Sequence, residues 1–125
     1  NGRRRQRQMC IRDRYHANYI KFFERARSEF LSDNKISQSE LKKNDQAFVI
    51  KSVNIKYIAA AELGDNIYVE SEVEMKSNAR MIFNQKVINC DNEKEYANGV
   101  VEVCFINLIT KKPQKFPDDL LLIFD

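Results

Sequence analysis

The sequence is poor in metal-binding residues. Its 125 residues include one histidine, His16, and three cysteines, Cys10, Cys90 and Cys104. No pair of cysteines has the spacing of metal ligands, and a single histidine could add little to them, which argues against a zinc site. The cysteines are scattered and odd in number, so we expect reduced thiols. The sequence therefore predicts neither a metal site nor a cofactor.

Long apolar segments are also lacking. No apolar run approaches the roughly 20 residues that cross a bilayer, so no transmembrane segment is expected. The arginine-rich start is not followed by the apolar stretch of a secretory signal. Hydrophobic residues make up 43% of the chain and charged residues 31%, a balance typical of globular proteins. A cytoplasmic location is the resulting expectation.

The positive charge is concentrated at one end of the chain. The formal net charge is +3, but residues 1–14 contain six arginines and one aspartate and therefore carry +5. The difference, +3 minus +5, leaves −2 for residues 15–125. The body of the chain is acidic, and no aromatic residues lie between the arginines of the first 14 residues. Both observations argue against nucleic-acid binding, including binding through Arg3–Arg7.

This charge break divides the chain into a basic tail, 1–14, and a domain, 15–125. The tail has neither helical nor strand periodicity. Two interpretations are open: a solvated native tail without regular structure, or a segment that does not belong to the native domain.

From Tyr15 onward the pattern is regular and first predicts a long helix. Apolar side chains recur at spacings of three and four residues, which mark one face of a helix. These side chains are Tyr19, Phe22, Phe23, Ala26 and Phe30. The helix is predicted to end near Leu31, because the stop signal 32–34 follows.

Four strands are predicted after the helix, because the apolar spacing changes to two. They cover about Phe48–Ile58, Ile67–Met75, Arg80–Asn89 and Glu95–Ile109. A row of glutamates, Glu70, Glu72 and Glu74, is predicted to face solvent on the second of these strands. One helix followed by an antiparallel meander indicates an α+β domain with the helix packed on the sheet.

A block near the helix start resembles a known enzyme family. Tyr15-His16-Ala17-Asn18-Tyr19 leads into Phe22-Phe23-Glu24-Arg25-Ala26-Arg27. This arrangement resembles the 4-hydroxybenzoyl-CoA thioesterase-like family, and it is most similar to the acyl-CoA thioesterases associated with the bacterial Tol-Pal envelope system. Weaker matches follow in the same order, at Gly64-Asp65, Phe83-Asn84-Gln85, Val103-Cys104 and Lys112-Pro113. The resemblance covers residues 15–120.

The resemblance implies a hot-dog fold, in which a curved antiparallel sheet wraps around a long central helix. It also implies homodimers, often paired into homotetramers, with active sites at the dimer interface. The implied activity is hydrolysis of an acyl-CoA thioester to free acid and CoA, with an acyl-carrier-protein thioester as the other possible substrate.

The chain departs from the family before the helix. The family's catalytic Asp lies seven residues before the His, and that position is Met9 here. The glycine-containing loop of the family is also absent. The first strand is therefore predicted to be missing or replaced, and the interpretation of residues 1–14 as non-native is favoured.

The candidate site residues follow from the resemblance and from thioester chemistry. A helix N-terminus offers free N–H groups and partial positive charge, which stabilise a developing oxyanion. The backbone N–H of His16 is the implied donor, and Tyr15, Asn18 and Tyr19 are the candidate substrate-binding residues. Lys56, Lys76 and Arg80, near strand ends, are candidates for the CoA phosphates.

Two nearby carboxylates, Asp13 and Glu24, are less suited to replace the missing Asp. Asp13 has the wrong spacing and lies between arginines, and Glu24 is expected to form a surface or dimer salt bridge. Two functions consequently remain open. The first is an acyl-CoA thioesterase, and the second is a non-catalytic hot-dog module that binds acyl-CoA, acyl carrier protein or another partner.

Overall fold

The computed structural model describes residues 3–7, 10–12 and 19–124. The strands are β1 (Arg3–Arg7), β2 (Ile11–Arg12), β3 (Gln46–Tyr57), β4 (Asn66–Met75), β5 (Arg80–Asn89) and β6 (Glu95–Asn107). The helices are α1 (Tyr19–Asp33), α2 (Gln38–Lys43) and α3 (Asp118–Ile123). The predicted long helix and four long strands are all present, and their ends differ from the predictions by a few residues.

All six described strands form one antiparallel sheet. The strand order is β1-β4-β5-β6-β3, and the short β2 also pairs with β4. Helix α1 packs against one face of this sheet, which we call the helix face. Its members on β4 are Ile67, Val69 and Val73, all buried, whereas the glutamates of β4 lie on the opposite face. The predicted α+β architecture, with the helix on the sheet, is confirmed.

Helix α1 forms because its apolar residues repeat at helical spacing. It buries Tyr19, Phe23, Ala26, Phe30 and Leu31, five residues along one side. The helix ends near the predicted stop signal: the Asn34 side chain donates from Nδ2 to the Phe30 carbonyl over 2.7 Å. Lys35 then takes a positive φ of 64°, so the chain turns away from the helix axis.

The structure corrects the prediction for the basic tail over Arg3–Arg7, which forms a strand. Strand β1 pairs with β4 so that Arg3, Arg5 and Arg7 lie opposite Glu74, Glu72 and Glu70. Ion pairs join Arg3 to Glu72 and Arg5 to Glu72, each over 3.2 Å. The glutamate row offsets the repulsion within the arginine run, and it is partly covered rather than fully exposed. An arginine-rich strand thus stands at one edge of the sheet.

The expectation of three reduced thiols was also wrong. Cys10 and Cys90 form a disulfide although 80 positions separate them in sequence, and their Cα atoms lie 6.3 Å apart. Strand β2 pairs with the start of β4, next to the end of β5, which brings Cys10 to Cys90. Cys104 is free, as predicted, and it is buried.

Two short helices lie outside the sequence predictions. The first, α2, has a recognisable signal, since the Ser37 hydroxyl accepts a hydrogen bond from the Glu40 backbone N–H over 3.3 Å. This Ser-x-x-Glu spacing is typical of a helix N-terminus. The second, α3, contains the apolar segment near the C-terminus and buries Leu120 in the core.

Candidate active site

The start of helix α1 is held against the loop between β3 and β4. The Tyr19 hydroxyl donates to the Ala59 carbonyl over 3.0 Å and accepts from the Ala61 N–H over 2.8 Å. The Tyr19 ring is buried and stacks on Tyr57, with ring centroids 5.7 Å apart. Tyr19, one of the predicted substrate-binding residues, therefore fixes the helix start, and its hydroxyl is fully engaged by the protein.

The other predicted residues of this site lie outside the described ranges. His16, Tyr15 and Asn18 immediately precede Tyr19, the first residue of α1, in sequence. Met9 and Asp13 are likewise outside the described ranges.

Beside the helix start, a partly buried polar network holds the turn before β4. Tyr96 donates from its hydroxyl to Oδ2 of Asp65 over 2.7 Å and accepts from Nδ2 of Asn89 over 2.9 Å. The Tyr96 bond and a second bond from the Glu62 N–H lower the pKa of Asp65. Burial, chiefly, raises the pKa of Tyr96. Tyr96 also packs in the same apolar cluster as Tyr19, so the network supports the loop that Tyr19 holds.

A cavity of about 220 Å³ opens between α1, α2 and the helix face of the sheet. Its apolar lining comes from Leu31, Phe48, Ile50, Met81, Phe83 and Val103. Glu24, Arg27, Ser28 and Gln38 line its polar side. Glu24 has no ion pair within 4.0 Å among the described residues, and its salt bridge across a dimer stays a prediction. The cavity is smaller than a typical small-molecule site, but its lining of apolar side chains with a few polar groups is typical of one.

On the opposite face of the sheet, two of the predicted CoA-binding residues converge. Lys76 and Arg80 contact the Glu102 carboxylate over 3.1 and 3.3 Å, and Lys51 joins them over 3.6 Å. We call these four residues the basic cluster. It carries a formal charge of +2, from three cations and one carboxylate. The hydrogen bond from Lys76, followed by the surrounding cations, lowers the pKa of Glu102.

Lys56, the third predicted CoA-binding residue, stands apart from the basic cluster. It lies opposite Asn98 on β6, four positions from Glu102, which corresponds to about 13 Å along a strand. Sequence reasoning missed Lys51, because a bulge between Ile50 and Ser52 sets its position on β3.

Nowhere in residues 3–7, 10–12 or 19–124 do three or more His, Cys, Asp or Glu side chains gather as metal ligands would. The helices of this described part are too short or too polar to cross a membrane.

Comparison with known proteins identifies the family. The model of the thioesterase-like superfamily matches residues 9–124. The chain belongs to this superfamily. Acyl-CoA thioesterase YbgC of Haemophilus influenzae is 37% identical over 111 residues, which is 88% of this chain and 80% of that protein. Acyl-CoA thioester hydrolase YbgC of Escherichia coli is 31% identical over 110 residues, 88% of this chain and 81% of that protein.

Solved structures support the fold of this thioesterase-like chain. The crystal structure of a 1,4-dihydroxy-2-naphthoyl-CoA thioesterase from Synechocystis superposes with a TM-score of 0.82 at 15% identity, covering 98% of this chain and 96% of the other. At this identity the likeness concerns the fold alone. The hot-dog fold predicted from the motif at the helix start is thereby confirmed.

Proposed function

We propose that this chain hydrolyses acyl-CoA thioesters to free acids and CoA. The observation that carries the proposal is the position of the Tyr15–Asn18 block, which immediately precedes the first residue of a 15-residue helix packed on the sheet. The YbgC relatives, named as acyl-CoA thioesterases, support the same activity. The proposed substrate is an acyl-CoA, with an acyl-carrier-protein thioester as the alternative.

The proposed chemistry begins at the start of α1. The thioester carbonyl would accept a hydrogen bond from the His16 backbone N–H, and the helix dipole would stabilise the negative charge that develops on its oxygen. Tyr15 and Asn18 would contact the acyl group, whereas Tyr19 holds the loop beside them. A base or carboxylate nucleophile is also needed, and Met9 cannot supply either.

Met9 keeps a second function open. A hot-dog domain that binds acyl-CoA or acyl carrier protein without cleaving it would need the pocket and not the carboxylate. The boundary of 15–125 for the domain stays a prediction, and the pairing of β1 and β2 with β4 and the Cys10–Cys90 disulfide argue against it.

The basic cluster is the proposed site for the CoA phosphates. Its cations are half exposed, and each can donate hydrogen bonds to phosphate oxygens. Glu102 holds the three side chains together. Lys56 remains a candidate for a more distant contact along the same face.

We further propose that the chain forms a homodimer through β3, and that dimers can pair into a tetramer. Strand β3 has 12 residues and lies at the end of the strand order, so one of its two edges has no partner strand in the described part of the chain. A long free edge is a ready surface for antiparallel pairing with a second copy. A cytoplasmic location completes the proposal, although the Cys10–Cys90 disulfide is of a kind that is rare there.

Thiol release from a panel of short, aromatic and long acyl-CoAs tests the activity. The chain would be compared with Met9→Asp, which restores a carboxylate seven residues before His16. We expect Met9→Asp to be the more active by about 100-fold or more, the range for a missing acid–base group. Equal activity of both would show that another group acts as the base. Acyl-CoA binding without cleavage by either folded protein would support the non-catalytic function.

A further inference from the structure

An apolar strip connects the start of α1 with the cavity. Tyr57, Val53 and Ile50 of β3 pair with Ala97, Val101 and Val103 of β6, which places all three on the helix face. Tyr57 stacks on Tyr19 at the helix start, and Ile50 lines the cavity at the other end.

These three side chains are unusually exposed to solvent for residues on the helix face. Tyr57 is 61% exposed, Val53 50% and Ile50 51%, although their partners on β6 are buried. Within a single chain the strip is therefore an exposed apolar path beside the helix that ends in the cavity, and it lies on the strand proposed above to form the dimer interface.

The polar side of the cavity holds a donor and an acceptor that do not contact each other. Arg27 donates from Nη1 to Oε1 of Gln85 over 3.0 Å, its one hydrogen bond within the described part of the chain. Glu24 lies one helical turn earlier and lines the same cavity. Their charges attract, yet no ion pair within 4.0 Å joins them among the described residues. A guanidinium only donates hydrogen bonds and a carboxylate only accepts them.

We propose that this cavity binds a hydroxyl group at the far end of an aliphatic acyl chain. The proposal rests on the proposed thioesterase function, which places the thioester at the helix start. A hydroxyl accepts from Arg27 and donates to Glu24 at once, so it satisfies both groups. A terminal carboxylate would be repelled by Glu24, and a terminal amine by Arg27. Glu24 is exposed and Arg27 is half-buried, so a methyl end would take water chiefly from Arg27 without replacing its hydrogen bonds.

The distance along the helix sets the length of this acyl chain. Glu24 and Arg27 follow Tyr19 by five and eight residues, which corresponds to about 7 and about 12 Å along the helix axis. A single benzoyl ring would end short of Arg27, whereas an aliphatic chain of medium length can lie on the apolar strip and reach both groups. The expected substrates are therefore medium-chain ω-hydroxyacyl thioesters.

Matched substrate pairs test the proposal. Thiol release would be measured with octanoyl-CoA and 8-hydroxyoctanoyl-CoA, and with decanoyl-CoA and 10-hydroxydecanoyl-CoA. We expect kcat/KM to favour the hydroxylated member of at least one pair by about tenfold, as a site built to bind a hydroxyl discriminates against its absence. Equal or lower values for both hydroxylated substrates would overturn the proposal.

Variants on the same helix identify the groups responsible. Glu24→Ala should reduce the hydroxyl preference about threefold or more. The matched control is Glu29→Ala, because Glu29 lies on the same helix and pairs with Arg25 over 3.3 Å, away from the cavity. Arg27→Met should reduce the preference as well, with Arg25→Met as its control. An equal loss in Glu24→Ala and Glu29→Ala would contradict the assignment.

Measuring the binding of free acids tests the cavity proposal independently of the proposed thioesterase activity. Calorimetry with 10-hydroxydecanoate and decanoate needs no cleavage, so it applies even to an inactive chain. Tighter binding of the hydroxy acid, lost in Glu24→Ala, would support the cavity assignment without thioesterase activity. Equal binding of both acids would overturn it, and failure to cleave any acyl-CoA would instead count against the proposed function.

Discussion

Arg27 and Gln85 join helix α1 to strand β5 through a hydrogen bond inside the core, between Nη1 and Oε1 over 3.0 Å. Gln85 is 1% exposed, and its Nε2 donates to the Phe23 carbonyl and to the Ser71 hydroxyl over 3.0 and 3.1 Å. Every hydrogen-bonding group of this amide nevertheless has a partner, which is the condition under which a buried polar side chain is tolerated.

Replacing this amide by an apolar group should be costly. Gln85→Leu leaves Arg27 and Ser71 without their partner, so we expect the free energy of unfolding to fall by about 2–3 kcal/mol. Urea unfolding measures the change. Asn84→Leu is the matched control, since Asn84 is exposed on the other face of β5, and its effect should stay within about 0.5 kcal/mol. Similar losses in both variants would contradict this role for Gln85.

Gly99 lets helix α1 approach the sheet. A Cβ at this position would lie 3.2 Å from Cε2 of Phe23 and 3.3 Å from Cγ1 of Ile55, closer than ordinary packing. Gly99→Ala should therefore lower the free energy of unfolding by about 1–2 kcal/mol through overpacking. In a Phe23→Leu background the cost of the same substitution should shrink, because the ring is gone. An unchanged cost in that background would show that Phe23 is not the obstacle.

The contact between Tyr96 and Asp65 predicts a pH dependence of stability. The hydrogen bond from Tyr96 lowers the pKa of Asp65 below its ordinary value of 3.8. The carboxylate thus stabilises the fold fully above about pH 5, and this contribution is lost as the pH falls through the lower pKa of the folded state. Asp65→Asn should lose less stability than the unmodified chain between about pH 5 and pH 2. Parallel stability curves for the two proteins would contradict the prediction.

The basic cluster should act on CoA binding and not on the chemical step. We expect Lys76→Met and Arg80→Met each to raise KM for an acyl-CoA about three- to tenfold with little change in kcat. The reason is that these cations would contact the CoA phosphates equally in the ground state and in the transition state. Added salt should reduce the difference. Lys86→Met is the control, because Lys86 pairs with Glu95 elsewhere on this face. An equal rise of KM in Lys86→Met would indicate a general charge effect.

Strand β3 should determine the oligomeric state. We expect sedimentation velocity to give the mass of a dimer or tetramer at micromolar concentration. The 14.7 kDa mass of one chain at every concentration would contradict pairing through the free edge.

Local patterns were sufficient for the central elements. Helix α1 and strands β4 to β6 each bury one face, and the apolar spacing records which face that is. Strand β3 has the same spacing, although its central residues are exposed. The Ser-x-x-Glu spacing from Ser37 to Glu40, which is typical of the start of a helix, was an equally local signal for α2 but covered only four residues. The family motif, in turn, identified the superfamily and the candidate residue His16, although it assigned no role to Gln85.

Contacts between distant segments could not be predicted in this way. Strand β1 forms because its arginines lie opposite glutamates 63 to 71 positions later. Cys10 meets Cys90 because β2 and β5 reach the same end of β4. The convergence of Lys51, Lys76 and Arg80 on Glu102 is of the same kind.

The sequence by itself determined the fold class, the superfamily and the order of the central elements, because periodicity and motifs are properties of neighbouring residues. The tertiary structure alone decided which charges meet and which polar groups are satisfied in the core. It also decided where an open cavity remains between α1 and β3. These features depend on strand pairing and helix placement, which bring together residues that are far apart in the sequence and follow no common local pattern.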